Sequence, residues 1–183
     1  MRQSFTFIAV FIFGITYGQF WIPEGLDIDG AGTSNYSGRS VDINTAGDRV
    51  VIGSPFFDLG GMSNPLHVGQ ARVFQWDGTT WFQLGAEIVG GGGNHQLGQS
   101  VSMNSAGNRI AVGSKNSAAT VLEWNGTSWN QVGSGFSGHS YNISIDGIGN
   151  RVVTNDPDYR ACGSCDTVNL VKIYDFDGTD WVN

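Results

Sequence analysis

The chain has 183 residues, a formal net charge of -7 and an isoelectric point near 4.6, and it contains 28 glycines, 12% aromatic residues and only 14% charged residues. This length suits one domain with a substantial hydrophobic core. Because nucleic-acid binding depends on a basic face, the acidic balance and the lack of a Lys or Arg cluster argue against a nucleic-acid partner. Glycine and aromatic residues in these amounts favour β-strands joined by many turns.

Residues 1–18 have the pattern of an export signal. Arg2 supplies the positive charge, residues 5–15 form an apolar run, and small residues at 16 and 18 suit cleavage. An uncleaved anchor is the alternative, but the run is shorter than the roughly 20 apolar residues that cross a bilayer. We therefore predict a cleaved signal peptide, a mature chain without a membrane span, and a location outside the cell or at its surface.

Four of the six tryptophans are spaced roughly 50 residues apart, and three of these four close an Asp-Gly or Asn-Gly hairpin. Only Gly, Asn and Asp tolerate the positive φ of such turns, so this pair between two β-rich runs is a strong hairpin signal. The tryptophans are Trp21, Trp81, Trp129 and Trp181, and the hairpin glycines are Gly78, Gly126 and Gly178. We predict that each glycine makes a turn and that each tryptophan begins an outer strand.

A second piece recurs in each unit. Residues 39–54 match residues 99–114, and residues 139–155 match them more loosely. In each copy, alternating apolar and polar residues predict a strand, and a glycine-containing turn leads into an apolar run. With the hairpin, every unit therefore holds four strands, which we call inner, second, third and outer.

This repeat predicts an all-β fold, a β-propeller of four-stranded antiparallel blades with about three blades present. The predicted divisions are an outer strand and link at 19–36, blade 1 at 37–90, blade 2 at 91–136, and blade 3 at 137–183, cut short in its outer strand. Because propellers typically need at least four blades to close, we expect an N-terminal part of a larger ring, with the remaining blades of the same chain as partners. A complete small domain is the alternative.

The residues of the inner strands carry a family resemblance. Residues 97–101 followed by Val-Gly-Ser, and residues 38–41 followed by Ile-Gly-Ser-Pro at 52–55, resemble the FG-GAP repeats of integrin-α-type β-propellers. The resemblance is to the divergent version in secreted flavobacterial proteins, and it implies a bacterial, exported propeller. The chain departs from the family where Ser37 and Ser137 replace the Phe before Gly.

The link between inner and second strands differs from that of calcium-binding FG-GAP repeats, which carry an Asp-rich loop there. In this link the first unit has one carboxylate, Asp48, the second has none, and the third has one, Asp146. One carboxylate supplies too few oxygen ligands for calcium. We therefore predict tight turns, no metal and no cofactor.

Cys162 and Cys165 form a Cys-Gly-Ser-Cys sequence in a loop rich in Asp and Gly. A thioredoxin-like redox motif would need a following helix, and a zinc site would need two more ligands. In an exported chain, a local disulfide that pins the loop is the favoured interpretation.

Variable links gather on one face of the predicted blades. Strands that run up and down place the second-to-third links and the blade-to-blade links on the same face, and a rigid scaffold with variable loops is a common layout for recognition. The predicted ligand-binding residues are Phe56, Phe57, Asp58, His67, His95, Asp158, Tyr159 and Arg160. In the alternative, Phe56 and Phe57 fold back over the blade core and the rest are solvated.

No catalytic motif occurs in the chain, and the three histidines lack metal-type spacing. We therefore predict a non-catalytic exported propeller that mediates protein or glycan binding, as in adhesion or cell-surface recognition. One alternative is an accessory or scaffold domain of a secreted polysaccharide-acting enzyme. Another is a structural spacer without a dedicated ligand.

Overall fold

A computed structural model describes residues 23–59, 66–136, 140–156 and 170–183. Its strands are β1 (Ser40–Ile43), β2 (Arg49–Ser54), β3 (Gln70–Trp76), β4 (Trp81–Gln83), β5 (Ile88–Val89), β6 (Leu97–Met103), β7 (Arg109–Ser114), β8 (Thr120–Trp124), β9 (Trp129–Gln131), β10 (Ile143–Ile145), β11 (Arg151–Asp156), β12 (Leu170–Phe176) and β13 (Trp181–Val182). Several predicted features lie outside the described residues: the signal peptide, Trp21, Asp158, Tyr159, Arg160, Cys162 and Cys165. Within the described ranges, no helix is long and apolar enough to cross a membrane.

The strands form three antiparallel sheets, in which strands that follow one another in the chain lie side by side. Blade 1 has the order β1-β2-β3-β4, blade 2 the order β6-β7-β8-β9, and blade 3 the order β10-β11-β12-β13. This confirms the predicted all-β fold of four-stranded antiparallel blades.

Blade 1 has one strand more than the repeat predicts. β4 pairs only with residues 74–76 of β3, whereas β5 pairs with the start of the same strand, Gln70 with Val89 and Ala71 with Ile88. Gly85, with a φ of 81°, bends the chain between β4 and β5. Because β4 is only three residues long, the start of β3 keeps free backbone groups, and β5 satisfies them.

The hydrophobic core lies between the blades. In β7, Ile110 packs in a cluster with Val51 of blade 1, and the next residue, Ala111, packs in a second cluster with Val152 of blade 3. All four side chains are fully buried. Because side chains alternate along a strand, the middle blade is apolar on both faces, and each buried Val or Ile contributes about 1.5–3 kcal/mol.

One end of all three sheets, which we call the turn face, carries the short turns. They are the inner-to-second turns at 44–48, 104–108 and 146–150 and the hairpin turns at 77–80, 125–128 and 177–180. Backbone hydrogen bonds join the turns of successive blades: Thr45 N–H donates to Ser105 O at 3.2 Å, and Ser105 N–H donates to Gly147 O at 2.9 Å. The turn face is therefore continuous across the blades.

A side chain closes each inner-to-second turn. Asn104 Oδ1 accepts the N–H groups of Asn108 and Arg109 at 3.1 and 2.9 Å, and its Nδ2 donates to Asn108 Oδ1 at 2.9 Å. Asn44 makes the same three bonds in blade 1. These contacts are the local Asx pattern that favours turns over continued strand.

Blade 3 closes the same turn with a carboxylate, Asp146. Its Oδ1 accepts the N–H groups of Gly149, Asn150 and Arg151 at 2.9, 2.7 and 2.9 Å. Burial alone would raise the pKa of this carboxyl, but the backbone N–H donors outweigh it and hold the pKa below its ordinary value of 3.8. The one acidic group in this turn is thus used as a cap.

The hairpin turns and the tryptophans behind them connect the blades at their outer edge. Gly78, Gly126 and Gly178 have φ values of 98°, 101° and 101°. The indole Nε1–H groups of Trp81, Trp129 and Trp181 donate to Glu24 O, Leu84 O and Val132 O at 3.2, 2.8 and 2.9 Å. Each acceptor precedes a glycine, and a Cβ on Gly85 would lie only 2.6 Å from the ring of Trp124. Each hairpin therefore locks one blade to the chain segment before it.

Candidate functional site

The end of the sheets opposite the turn face, which we call the loop face, carries the longer connections. Its described parts are residues 34–37, 55–59, 66–69, 90–97 and 114–120. The first long loop, which leaves β2 and returns to β3, contributes most of the predicted site residues. These connections differ between the blades, so any blade-specific recognition belongs on this face.

Three aromatic rings form a row on the loop face. Phe56 lies in the middle, with its ring centroid 4.9 Å from Tyr36 and 5.0 Å from the edge-on ring of His67. Tyr36 is 64% exposed, whereas Phe56 and His67 are half-buried. Tilted and edge-on rings at these distances attract one another, so the row is a preformed surface.

Asp58 and His67 bridge the two ends of the first long loop. The backbone N–H of His67 donates to Asp58 Oδ1, and His67 Nδ1 lies 3.6 Å from Asp58 Oδ2. The two side chains are 33% and 28% exposed. They place one carboxylate next to the imidazole of the aromatic row, and both side chains are partly exposed, so both can hydrogen-bond a ligand.

Tyr36 is held in place by its neighbours in sequence. Phe56 N–H donates to Asn35 O at 3.3 Å. Arg72, which is 8% exposed, donates through Nη2 to Asp29 O at 2.7 Å and to Ser37 Oγ at 3.4 Å. The segment around Tyr36 is therefore fixed to blade 1 on both sides of the ring.

His95 belongs to the glycine-rich link, which pairs with the end of the first long loop. Gln96 N–H donates to His67 O at 3.0 Å, and Leu97 N–H donates to Val68 O at 3.1 Å. On the other side, Asn116 N–H donates to His95 O at 3.3 Å. The link thus makes one surface from the loops of blades 1 and 2, although no described contact joins the His95 ring to the aromatic row.

Backbone strain is concentrated on the loop face. Among the described residues, every non-glycine residue with a positive φ lies here, with values between 47° and 64°: Ser34, Tyr36, His67, Asn94 and Gln96. A left-handed conformation costs such residues of order 1 kcal/mol or more, and it persists where the surroundings enforce it. Strain of this kind is common at binding sites.

The structure brings together some of the predicted site residues and adds one. Phe56, Asp58 and His67 meet, and Phe57 lies half-buried beside them with its carbonyl accepting Gly69 N–H at 3.0 Å. Sequence reasoning missed Tyr36, because it stands before blade 1 in a segment without a repeat partner. Its only signal is an aromatic residue in a Ser-Asn-Tyr-Ser-Gly turn.

The loop face combines several kinds of chemical group. Aromatic faces, an imidazole, a carboxylate and strained backbone groups offer stacking and hydrogen bonding. In the part of the chain that the structure describes, no group of three or more His, Cys, Asp or Glu residues is placed to hold a metal ion.

Comparison with known proteins establishes the fold and no family. No family model and no curated protein matches the chain. Among solved structures, the chain is similar to the β-propeller domain of Cps50 (Swd1) from Myceliophteria thermophila, with 14% identity, a TM-score of 0.53, and coverage of 87% of this chain and 39% of that one. The WD40 domain of Pan2 from Neurospora crassa matches with 10% identity, a TM-score of 0.43, and coverage of 79% and 38%.

The chain spans about two fifths of the length of these structures. At 14% identity, the similarity to the first shows a shared fold alone. Together with three sheets of four or more antiparallel strands, it makes this chain a β-propeller chain, as its repeat predicts. The FG-GAP subtype stays a prediction.

Proposed function

We propose that the chain is a non-catalytic interaction module that binds a protein partner on its loop face. The observation that carries this proposal is the row of Tyr36, Phe56 and His67, because its exposed end offers a large, rigid ring. Aromatic residues with few rotatable bonds dominate protein interfaces, since they bury much area at little entropic cost. Propeller neighbours support a scaffold role.

The predicted export signal and the FG-GAP-type resemblance of the sequence support a finer proposal. In it, the chain is exported by a bacterium and acts at the cell surface, in adhesion or recognition. Glycan binding is the second candidate, because the half-exposed Asp58 and His67 beside an aromatic ring can hydrogen-bond a sugar that stacks on Tyr36. An accessory role beside a secreted enzyme would use the same face.

The test is a selection with two libraries on the purified chain: phage-displayed peptides and a glycan array. We expect peptide binders whose Kd rises at least about tenfold in Tyr36→Ala, since a tenfold change is about 1.4 kcal/mol and interface hot spots typically cost about 2 kcal/mol or more. The matched control is Phe82→Ala, which removes an aromatic ring that is 43% exposed on the outer strand of blade 1, away from the loop face.

Binders that tolerate both Tyr36→Ala and Phe56→Ala would move the site away from the loop face. Hits on the glycan array alone, weakened by the same two changes, would support the second candidate over the first. If neither library yields a ligand, the proposed function is wrong for this face.

A further inference from the structure

The hairpin turn of blade 2 contains the only Asn-Gly pair in the sequence, Asn125-Gly126. The equivalent Asp-Gly pairs of blades 1 and 3 begin with Asp77 and Asp177. All the residues of the turn, 125–128, are exposed to solvent. Blade 2 therefore presents a side-chain amide to water where its two neighbours present a carboxylate.

The hydrogen bonds of the Asn125 side chain gather on its oxygen. Oδ1 accepts the backbone N–H groups of Thr127 and Ser128, both at 2.9 Å. The Thr127 hydroxyl donates to the same oxygen at 2.9 Å. Three donors thus polarise the carbonyl of this amide, and they are placed to stabilise negative charge that develops on Oδ1.

The two nitrogens beside this carbonyl are free. In the ranges that the structure describes, neither Asn125 Nδ2 nor the backbone N–H of Gly126 donates a hydrogen bond. Gly126 has a φ of 101°, and a Cβ built on it would meet nothing within 4 Å. A reaction in which the Gly126 nitrogen attacks Asn125 Cγ therefore breaks no hydrogen bond and meets no side chain, and its two reacting groups are already adjacent in the chain.

The other two hairpins show that this arrangement of donors stabilises a negative oxygen. Asp77 Oδ1 accepts the N–H groups of Thr79 and Thr80, both at 2.8 Å, and Asp177 Oδ1 accepts the equivalent groups at 2.8 and 2.9 Å. The N–H groups of Thr80 and Thr79 lower the pKa of the Asp77 carboxyl, and their equivalents lower that of Asp177. The oxygen of Asn125 lies in the same kind of environment.

The asparagine caps of the turn face are protected at the atoms that are free in Asn125. Asn104 Nδ2 donates to Asn108 Oδ1 at 2.9 Å, and the next N–H, of Ser105, donates to Gly147 O at 2.9 Å. Asn44 and the residue after it are held in the same way. Both caps are buried, with 2% and 6% of their surface exposed. The chain therefore contains its own protected controls.

We propose that Asn125 is a site of spontaneous deamidation. The backbone nitrogen of Gly126 bonds to Asn125 Cγ and closes a succinimide ring, and the Cγ–Nδ2 bond breaks. Nδ2 leaves as ammonia, taking up the proton that the Gly126 nitrogen gives up. Water from the solvent then opens the ring and returns a proton to this nitrogen, which leaves an aspartate or an isoaspartate at position 125. The step changes no oxidation state and needs no other reactant.

The aspartate product makes blade 2 resemble its neighbours. All three hairpin turns then carry a carboxylate, and the formal net charge of -7 becomes one unit more negative. Because Asp77 closes its turn through the same two backbone N–H groups, aspartate at 125 keeps the turn. Isoaspartate adds an atom to the backbone, so we expect it to break the bond from Asn125 N–H to Ser128 O, which is 3.1 Å long.

The experiment follows amide loss at each asparagine by protease digestion and mass spectrometry of the folded chain after incubation. We expect loss at Asn125 at least about tenfold faster than at Asn104 or Asn44, a difference of about 1.4 kcal/mol in activation free energy. The rate should rise with pH, because the Gly126 nitrogen attacks after losing its proton. Loss at either cap that equals or exceeds the loss at Asn125 would overturn the proposal.

The same measurement in urea separates the effect of the hairpin from that of the Asn-Gly sequence. Unfolding removes the donors from Asn125 and releases the groups that hold Asn104. We therefore expect Asn125 to react no faster in urea than in the folded chain, and Asn104 to react faster. A faster loss at Asn125 in urea would show that the turn protects it and would contradict the proposal.

A substitution tests the donors directly. Thr127→Val removes the hydroxyl donor and keeps the backbone N–H, and we expect it to slow amide loss at Asn125 about fivefold, which is about 1 kcal/mol. Thr127 is exposed, so the fold is retained. Thr79→Val makes the same change in blade 1 and should leave the rate at Asn125 unaltered. Equal rates in both variants would overturn the role of the donors. None of these measurements involves the loop face, so the proposed function is tested separately.

Discussion

The turn face and the loop face belong to the same three blades but are held by different means. On the turn face, Asn44, Asn104 and Asp146 each accept two or three backbone N–H groups, and every blade repeats the arrangement. On the loop face, residues take left-handed backbone conformations. Several fully buried polar side chains there, such as Ser54 and Gln70, make no hydrogen bond to another described residue.

Because of this difference, the turn face stabilises the blades while the loops of the loop face can vary in sequence. A turn closed by its own side chain does not depend on the loops at the other end of the strand, so those loops can change without loss of the blade. The irregular conformations of the loop face lower the free energy of unfolding, and the turn face and the contacts between blades offset this loss. Substitutions should therefore weaken the fold strongly on or behind the turn face and weakly on the loop face.

Trp129→Ala should have the largest effect. The indole packs 5.4 Å from Trp124, belongs to the border of the blade 1–blade 2 core, and donates to Leu84 O at 2.8 Å. Removing a fully buried Trp typically costs about 3–5 kcal/mol, and we expect the lower end of this range because Trp129 is half-buried. Chemical denaturation measures the loss, and Trp129→Phe is the control that keeps an aromatic ring but removes the hydrogen bond and part of the packed area. A loss below about 1 kcal/mol in Trp129→Ala would contradict the role of the outer edge.

Asn104→Ala should have the next largest effect. Asn104 is 2% exposed, and its removal leaves the N–H groups of Asn108 and Arg109 without their acceptor, at a cost of about 2–3 kcal/mol in unfolding free energy. Asn104→Asp keeps the acceptor for both N–H groups but loses the donation from Nδ2 to Asn108 Oδ1, so we expect a smaller loss than in Asn104→Ala. Equal losses in both variants would show that the Nδ2 donation, and not the acceptor, supports the turn.

The parts of the fold that repeat were predictable from the sequence, and the parts between repeats were not. The hairpin occurs three times, with Gly78, Gly126 and Gly178 at equivalent positions. Because the pattern repeats, it predicts the turn more reliably than one copy would. β5 escaped prediction because it depends on how far β4 extends along β3, which is a matter of tertiary pairing. The caps at Asn44 and Asn104 also escaped prediction, although their partners lie only four or five residues away in the sequence.

The candidate site was predictable only in its location. Phe56, Asp58 and His67 follow from the position of a long link on the loop face. Their contact with Tyr36 arises because Asn35 O accepts Phe56 N–H across two segments that share no pattern. Periodicity gives no information about such a meeting.

Gln70→Met should stabilise the chain, in contrast to the changes above. Gln70 is fully buried beside Ser54 in the β2–β3 pair, and neither amide atom bonds to a described residue. Replacing an unpaired buried amide with an apolar group of similar shape removes a desolvation penalty of about 1 kcal/mol. The melting temperature should rise. Gln70→Glu, which buries a charge, is the opposite control, and a melting temperature lowered by both changes would show that the amide has a partner.

Asp146→Asn should have the smallest effect, visible only in acid. Backbone N–H donors hold the folded-state pKa of Asp146 below its ordinary value of 3.8, even though burial opposes them. The unfolded chain therefore takes up this proton first as the pH falls. The contribution of the carboxylate to stability is full above the ordinary pKa and is lost as the pH falls through the folded-state value. Asp146→Asn gives blade 3 the amide cap of blade 2, and the unfolding free energy, followed from pH 5 downward, should then fall less steeply. An unchanged slope would mean that acid weakens the chain elsewhere, at Asp77 or Asp177, whose carboxyl pKa values are lowered by the backbone N–H groups of their hairpin turns.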